Sequence, residues 1–372
     1  MERDAWGIYH AADLAEKLLG RPSVTFEKDM SYYRGKRVLV TGAGGFIGSE
    51  LCRQIAAAEP ACLVMMDIGE NGLYETEQAL VMQYGGKLAL YSEIASIRDR
   101  ARLLCLFEHY RPEVVLHAAA HKHVPLMEHS DREAVKNNVF GTVNVMDACE
   151  RFGVRKFVLV SSDKAVRPSS VMGAAKRICE MLVRSRSDSE TAFVAVRLGN
   201  VLGSSGSVVP LFCRQIAAGG PVTVTDRRMV RYFMTVSEAC GLILCAGSYA
   251  GRGEVYVLDM GQPLRVLGVA ESVIRACGYE PYTDIEIKET GLRPGEKLCE
   301  ELLVSPEQVE KTVNEKIFIV HGERLTREKV QADLALLEQV LHKTEGVFDT
   351  DEIKLALRQV VPSYHCEDIA SD

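Results

Sequence analysis

Residues 37–50 read RVLVTGAGGFIGSE, an apolar run that passes through spaced glycines into a segment of helical period. Gly42, Gly45 and Gly48 stand where a strand turns into a helix. Glycine is needed where a turn is tight, where backbone must approach a pyrophosphate, and where helix meets strand closely. The helix start behind them offers unpaired N–H groups and a positive dipole end to phosphate oxygens. Asp67 ends the next apolar run, CLVMMD at 62–67. A carboxylate there accepts hydrogen bonds from ribose hydroxyls and repels a 2′-phosphate, so the pattern favours NAD over NADP.

Outward from this stretch, apolar runs alternate with helix-period segments. The runs are 37–42, 62–67, 88–95, 113–120, 156–162 and 192–200; the clearest helical segments are 48–59, 98–110 and 138–153. Strands that are apolar throughout, separated by helices, predict an α/β fold with a doubly wound parallel sheet covered on both faces. Beyond Asn200 the pattern loosens, and a smaller C-terminal substrate lobe is expected, interleaved with the end of the sheet. The expected division is an N-terminal extension at 1–35, with a short amphipathic helix ended by Gly20, and a nucleotide-binding domain at 36–200, completed by about 234–258. The lobe would take 201–233 and 259–345, and a helix and tail 346–372.

The chain has 372 residues, 44 Lys+Arg against 51 Asp+Glu, for a formal charge of −7. This mild acidity argues against a nucleic-acid partner. No apolar run reaches the roughly 18 residues of a membrane span, and the start MERDAWGIYH lacks the regions of a secretory signal. Eleven cysteines without a C-x-x-C pair fit a reduced, cytoplasmic protein. His117, His121, His123 and His129 cluster, but no further ligand pattern completes a metal site.

The glycine spacing, HAAA at 117–120 and Asn138 before a helix resemble the extended short-chain dehydrogenases/reductases, which carry the Rossmann form of this sheet. In that family the fifth strand ends in Ser or Thr, followed by Tyr-x-x-x-Lys. Here the stretch reads KFVLVSSDKAVRPSSVMGAAKR. Lys176 keeps the lysine, but Met172 occupies the tyrosine position, and a thioether cannot act as a base. Ser162-Asp163-Lys164 falls where sugar-nucleotide 4,6-dehydratases carry Thr-Asp-Glu. By that likeness Asp163 is the candidate acid and Lys164 the candidate base, its pKa expected to be lowered by burial and by Lys176.

Further blocks are similar to the UDP-N-acetylglucosamine 4,6-dehydratases of the CapD-like polysaccharide-biosynthesis group: HAAAHKHVPLMEH, VRLGNVLGSSGSVVPLF, MVRYFMTVSEA and LRPGEKLCEELL. The resemblance runs from about Leu18 to about His365. It implies dehydration of UDP-N-acetylglucosamine (UDP-GlcNAc) to the 4-keto-6-deoxy sugar by internal hydride transfer through a tightly held NAD. Methionine at position 172 implies retention at C5. Ser162, or Asp163 through a water, are the candidates for the C4 hydroxyl proton. Gly42, Gly45, Phe46, Ile47, Gly48, Asp67, Ser96, Ile97, Ala118, Ala119, Asn138 and Lys176 would hold the cofactor. Lys122, His123, Asn200, Val208, Pro210, Arg231, Arg293 and Glu296 would hold the nucleotide sugar, the arginines pairing with its diphosphate or uridine, since a planar fork matches phosphate oxygens. A homo-oligomer is expected. A C5-inverting dehydratase, a C4-epimerase and a non-catalytic NAD-binding scaffold are the competing readings.

Overall fold

Six runs in the first 200 residues supply strands, five of them buried on both faces and the third, at the sheet edge, partly exposed. They form β1 (Arg37–Thr41), β2 (Cys62–Asp67), β3 (Leu90–Ile94), β4 (Val114–His117), β5 (Lys156–Ser162) and β6 (Ala192–Leu198). The structure, a computed structural model, describes residues 18–19, 30–204, 206–303, 309–322, 325–345 and 351–365. Helices α1 (Phe46–Ala57), α2 (Glu70–Tyr84), α3 (Arg100–Tyr110), α4 (Val124–His129), α5 (Asp131–Ala134), α6 (Gly141–Arg151) and α7 (Val171–Ser185) lie between these strands. Then come β7 (Asn200–Val201), α8 (Val208–Ala217), β8 (Val222–Val224), β9 (Val230–Arg231), β10 (Phe233–Met234), α9 (Val236–Tyr249) and β11 (Glu254–Leu258). The chain ends through β12 (Leu264–Arg265), α10 (Val266–Ala276), β13 (Ile287–Glu289), β14 (Val309–Lys311), β15 (Ile317–Val320), α11 (Arg327–Lys343) and α12 (Glu352–Val360).

The large sheet has the order β14-β15-β11-β6-β5-β4-β1-β2-β3. From β3 to β11 neighbouring strands are parallel; β15 and β14 run antiparallel at the far edge. The connections reverse direction between β1 and β4, which opens a crevice at the carboxyl ends of those strands. Alternation along β1 divides the core. Val38 and Val40 face Leu51 and Ile55 of α1 and Ile243 of α9, whereas Leu39 faces Phe107 of α3 and Val145 of α6. The fold is therefore the doubly wound Rossmann sheet. A separate apolar cluster in the lobe joins Phe212 of α8, Val222 of β8, Val269 and Ile274 of α10, and Ile287 of β13.

Several boundaries move. The run 113–120 is a strand only to His117, and Ala118–Ala120 leave the sheet to wall the crevice. The run 192–200 breaks at Gly199, after which Asn200 and Val201 pair with β10 instead. The helix expected at 138–153 begins as a π-helical turn, Val135–Phe140, before α6. Within 259–345, allotted to the lobe, β14 and β15 join the large sheet and Val330 of α11 packs with its core. Most of the extension at 1–35 lies outside the described residues, as do 346–350 and 366–372 of the tail; Leu18 is buried against the lobe cluster. Among the described residues no helix is long and apolar enough to cross a membrane.

Candidate active site

The crevice is a cleft of about 320 Å³ whose walls include Gly42, Gly45, Asp67, Ser96, Ile97, Ala118 and Ala119. After β1 the chain turns at Gly42, with a φ of 71° that suits glycine. A Cβ there would lie 2.6 Å from the Ala119 nitrogen, and one on Gly48 would strike the Gly42 carbonyl oxygen. Loop and helix start therefore form a cradle of bare backbone. Phe46, Ile47 and Gly48 make the first turn of α1, whose N–H groups lack intrahelical acceptors. Asp67 accepts from the Gly44 N–H at 2.9 Å through Oδ2 and from the Gly69 N–H at 2.8 Å through Oδ1. A second glycine contact went unread in the sequence: a Cβ on Gly72, in α2, would lie 2.5 Å from the Gly44 oxygen.

Asn138 does not line the cleft; Asn137 does. The buried Asn138 amide grips His121 instead. Its Oδ1 accepts from the His121 N–H and its Nδ2 donates to the His121 carbonyl, both at 2.8 Å. It acts on the cleft by fixing the loop behind Ala118 and Ala119. His117, beneath that loop, is fully buried between Thr41 Oγ1 at 2.7 Å and Thr142 Oγ1 at 3.0 Å. Burial, with Lys176 adding to it, pushes its imidazole down to about 3.

β5 ends in the turn that carries Ser162, Asp163 and Lys164. Ser162 Oγ accepts from the Lys164 N–H at 3.3 Å and donates to Asp163 Oδ1 at 2.8 Å. Lys164 Nζ donates to the same Oδ1 at 3.0 Å and stands 3.4 Å from Glu300 Oε1. Asp163 is fully buried, and its Oδ2 has no hydrogen-bond partner among the described residues. Burial disfavours the lysine charge, but Asp163 and Glu300 outweigh it and hold the Lys164 ammonium above the ordinary lysine value. This overturns the expected lowering by Lys176. Lys176 itself is depressed, through burial; its Nζ donates to the Val160 carbonyl at 2.9 Å. Met172 is buried with Val139 and Val171 in the apolar cluster that seats α7.

Beneath the turn, Arg197 Nε and Nη2 fork onto Glu180 at 2.8 and 2.9 Å, and Ser161 Oγ adds a bond of 2.8 Å. Burial opposes the Glu180 charge, but Arg197 prevails and draws the carboxyl down to about 2.

The lobe-side residues divide. Arg231 is committed to the chain: Nη1 donates to Val230 O at 2.8 Å and Leu298 O at 3.0 Å, and Nη2 to Lys297 O at 2.7 Å. It clamps the segment 291–300 rather than standing free for phosphate. The same segment is tied by Lys297 Nζ to Val166 O at 3.0 Å and by Ser169 Oγ to Gly295 O at 2.9 Å. Arg293 is exposed; its N–H meets Glu296 Oε2 at 3.4 Å. Asn200 is half-buried beside Tyr232, and Val208 and Pro210 open α8. The His123 ring sits against Gly206, where a Cβ would collide with it; Lys122 beside it is exposed. Glu300 and the Glu180–Arg197 pair carry no local signature and were not singled out in the sequence.

Residues 38–322 match the family model described as "Polysaccharide biosynthesis protein". The capsular polysaccharide biosynthesis protein CapD of Staphylococcus aureus is 50% identical over 309 residues, 82% of this chain and 51% of that protein, so the chain spans about half of its length. A UDP-glucose 4-epimerase of Rickettsia canadensis is 37% identical over 279 residues, covering 73% of this chain and 78% of the epimerase. An inverting UDP-N-acetylglucosamine 4,6-dehydratase of Campylobacter jejuni is 29% identical over 279 residues, covering 73% and 79%. The crystal structure of Pen from Bacillus thuringiensis superposes with a TM-score of 0.72 at 33% identity, covering 80% of this chain and 92% of that one. Cradle, strand-end turn and matched sequence together place the chain in the polysaccharide biosynthesis protein family, within the extended short-chain dehydrogenases/reductases.

Proposed function

We propose that the chain dehydrates UDP-GlcNAc to the UDP-linked 4-keto-6-deoxy sugar, using NAD and retaining the configuration at C5. The observation that carries this reading is the Ser162–Asp163–Lys164 turn, in which the buried Asp163 carboxylate and the half-buried Lys164 ammonium stand together at the end of β5. An epimerase exchanges hydride at C4 alone; a paired acid and base is what removing water across C5 and C6 demands. The name of the Campylobacter relative supports a UDP-GlcNAc substrate, and the epimerase relative supports a UDP sugar more broadly.

The cleft fits the cofactor. The cradle that a Cβ on Gly42 or Gly48 would fill suits a pyrophosphate, and Asp67 suits the ribose hydroxyls of NAD. When bound, the nicotinamide supplies hydride acceptance at C4 and hydride return at C6. Lys164 and Asp163 do the proton work, with roles opposite to those expected from the sequence. Asp163 Oδ2, buried and unpartnered among the described residues, accepts the C5 proton made acidic by the C4 ketone. The Lys164 ammonium protonates the departing C6 hydroxyl, which leaves as water. Asp163 then returns a proton to the face of C5 it came from, which accounts for retention. The proton released from the C4 hydroxyl balances the one Lys164 gives up.

Mass spectrometry of the UDP sugar after incubation with protein and NAD tests this reading. A product lighter by one water is expected. An isomer of unchanged mass, resolved from UDP-GlcNAc by chromatography ahead of the spectrometer, would establish the epimerase instead, and unaltered UDP-GlcNAc with cofactor bound would overturn the dehydratase reading, leaving the scaffold or another sugar nucleotide.

A further inference from the structure

We propose that Glu300 is a positioning residue that keeps Lys164 loaded with its proton between turnovers. The inference rests on the acid role proposed above for Lys164. Glu300 is buried, and it reaches the reactive turn from the segment that follows β13, not from β5. Its Oε1 stands 3.4 Å from Lys164 Nζ and 3.8 Å from Arg231 Nη2. Arg231 cannot follow Lys164 away, because its guanidinium is bound to the carbonyls of Val230, Lys297 and Leu298. Glu300 is thus braced by a fixed cation on one side and holds a movable one on the other.

The charged groups around the Lys164 ammonium come from three elements. Asp163 lies on its own turn at 3.0 Å, Glu300 on the crossing segment, and Arg231 on β9, repelling it from behind Glu300. Lys176 on α7 makes its own bond to Val160. With two carboxylates against one more distant cation, removing the Glu300 charge must make the ammonium easier to deprotonate. An acid needs this bias, since Lys164 must regain a proton before each elimination. Arg167 and Glu301, an exposed pair 3.6 Å apart at the same edge, offer a neighbouring contact in which no such bias is expected.

The test is competitive acetylation of the cofactor-loaded full chain with acetic anhydride across a pH series, reading the Lys164 peptide by mass spectrometry. Exposed Lys87 serves as internal reference. The reading needs no turnover, so it stands apart from whether UDP-GlcNAc is the substrate. In Glu300→Gln the labelling midpoint of Lys164 is expected to fall by about one pH unit. Glu300→Asp, which keeps the charge, is expected to restore most of it, and Glu301→Gln to leave it in place. Equal midpoints in wild type and Glu300→Gln would overturn the proposal, as would an equal fall in Glu300→Asp and Glu300→Gln. Where turnover is measurable, the alkaline limb of kcat moves to lower pH in Glu300→Gln; a lowered kcat on an unmoved limb would mark a structural role alone.

Discussion

Asp163 carries two oxygens in unlike surroundings. Oδ1 receives both the Ser162 hydroxyl and the Lys164 ammonium, while Oδ2 is buried without a partner among the described residues. A buried acceptor left unmatched costs about 1–3 kcal/mol, which a substrate group placed against it recovers. Asp163→Asn and Lys164→Met are each expected to lower kcat by roughly 10²–10⁴-fold, with NAD affinity in titration unchanged. The two are separable by the leaving group. Fluoride departs with less help from an acid than hydroxide, so UDP-GlcNAc bearing fluorine at C6 should restore turnover in Lys164→Met and not in Asp163→Asn. Rescue of Asp163→Asn alone would return the acid role to Asp163. Met172 belongs to this scale too: its buried thioether packs α7 and has no proton to exchange.

At the scale of elements, the site is held by the start of α1, the ends of β1, β2 and β5, and one crossing segment. The β1–α1 unit tolerates no side chain at position 48, because a Cβ would strike the Gly42 carbonyl. Gly48→Ala should lower NAD affinity at least tenfold by calorimetry, since strand and helix must part and the phosphate cradle opens. The segment 291–300 depends on Arg231. Arg231→Lys offers a point charge where a fork reaches three carbonyls, so limited proteolysis should cut that segment faster than in wild type. These elements also mark what was legible in the sequence. Gly42, Gly48 and Asp67 could be read because their constraints are local: a strand, a turn and a helix start within one short unit. Glu300 could not, because its meaning comes from a contact with Lys164, far away along the chain. The Lys164 charge was misread for the same reason, since the sequence placed Lys176 beside it and held no hint of Glu300. Arg231 was read as a phosphate ligand because its chemistry fits one, yet its partners are carbonyls brought to it by the fold.

Across the whole molecule, the sheet buries charged and titratable groups that tie its stability to pH. His117 is held neutral, down to about 3 from an ordinary value of 6.5, so its contribution is complete above pH 6.5 and is lost as the pH falls through that range. Glu180 falls from 4.5 to about 2, and its contribution is lost only below pH 4.5. Between pH 6.5 and 4.5 His117 should therefore contribute the larger part of a decline in Tm, with His123 also held down by burial, and His117→Asn should lessen that decline in calorimetry. Glu180→Gln leaves the Arg197 guanidinium buried without its counter-charge, a loss of about 3–5 kcal/mol that denaturant titration would read. The fold brings the sheet's carboxyl edge, carrying the cradle and the Ser162–Asp163–Lys164 turn, together with a segment that reaches Lys164 from the lobe side. The chemistry assigned to that meeting point is dehydration. Proton NMR of UDP-GlcNAc incubated with the protein and NAD tests it most directly. The account predicts a new methyl signal at C6 beside a keto or hydrated C4, with the C5 configuration retained; a C4 epimer whose C6 hydroxymethyl group is intact would contradict it.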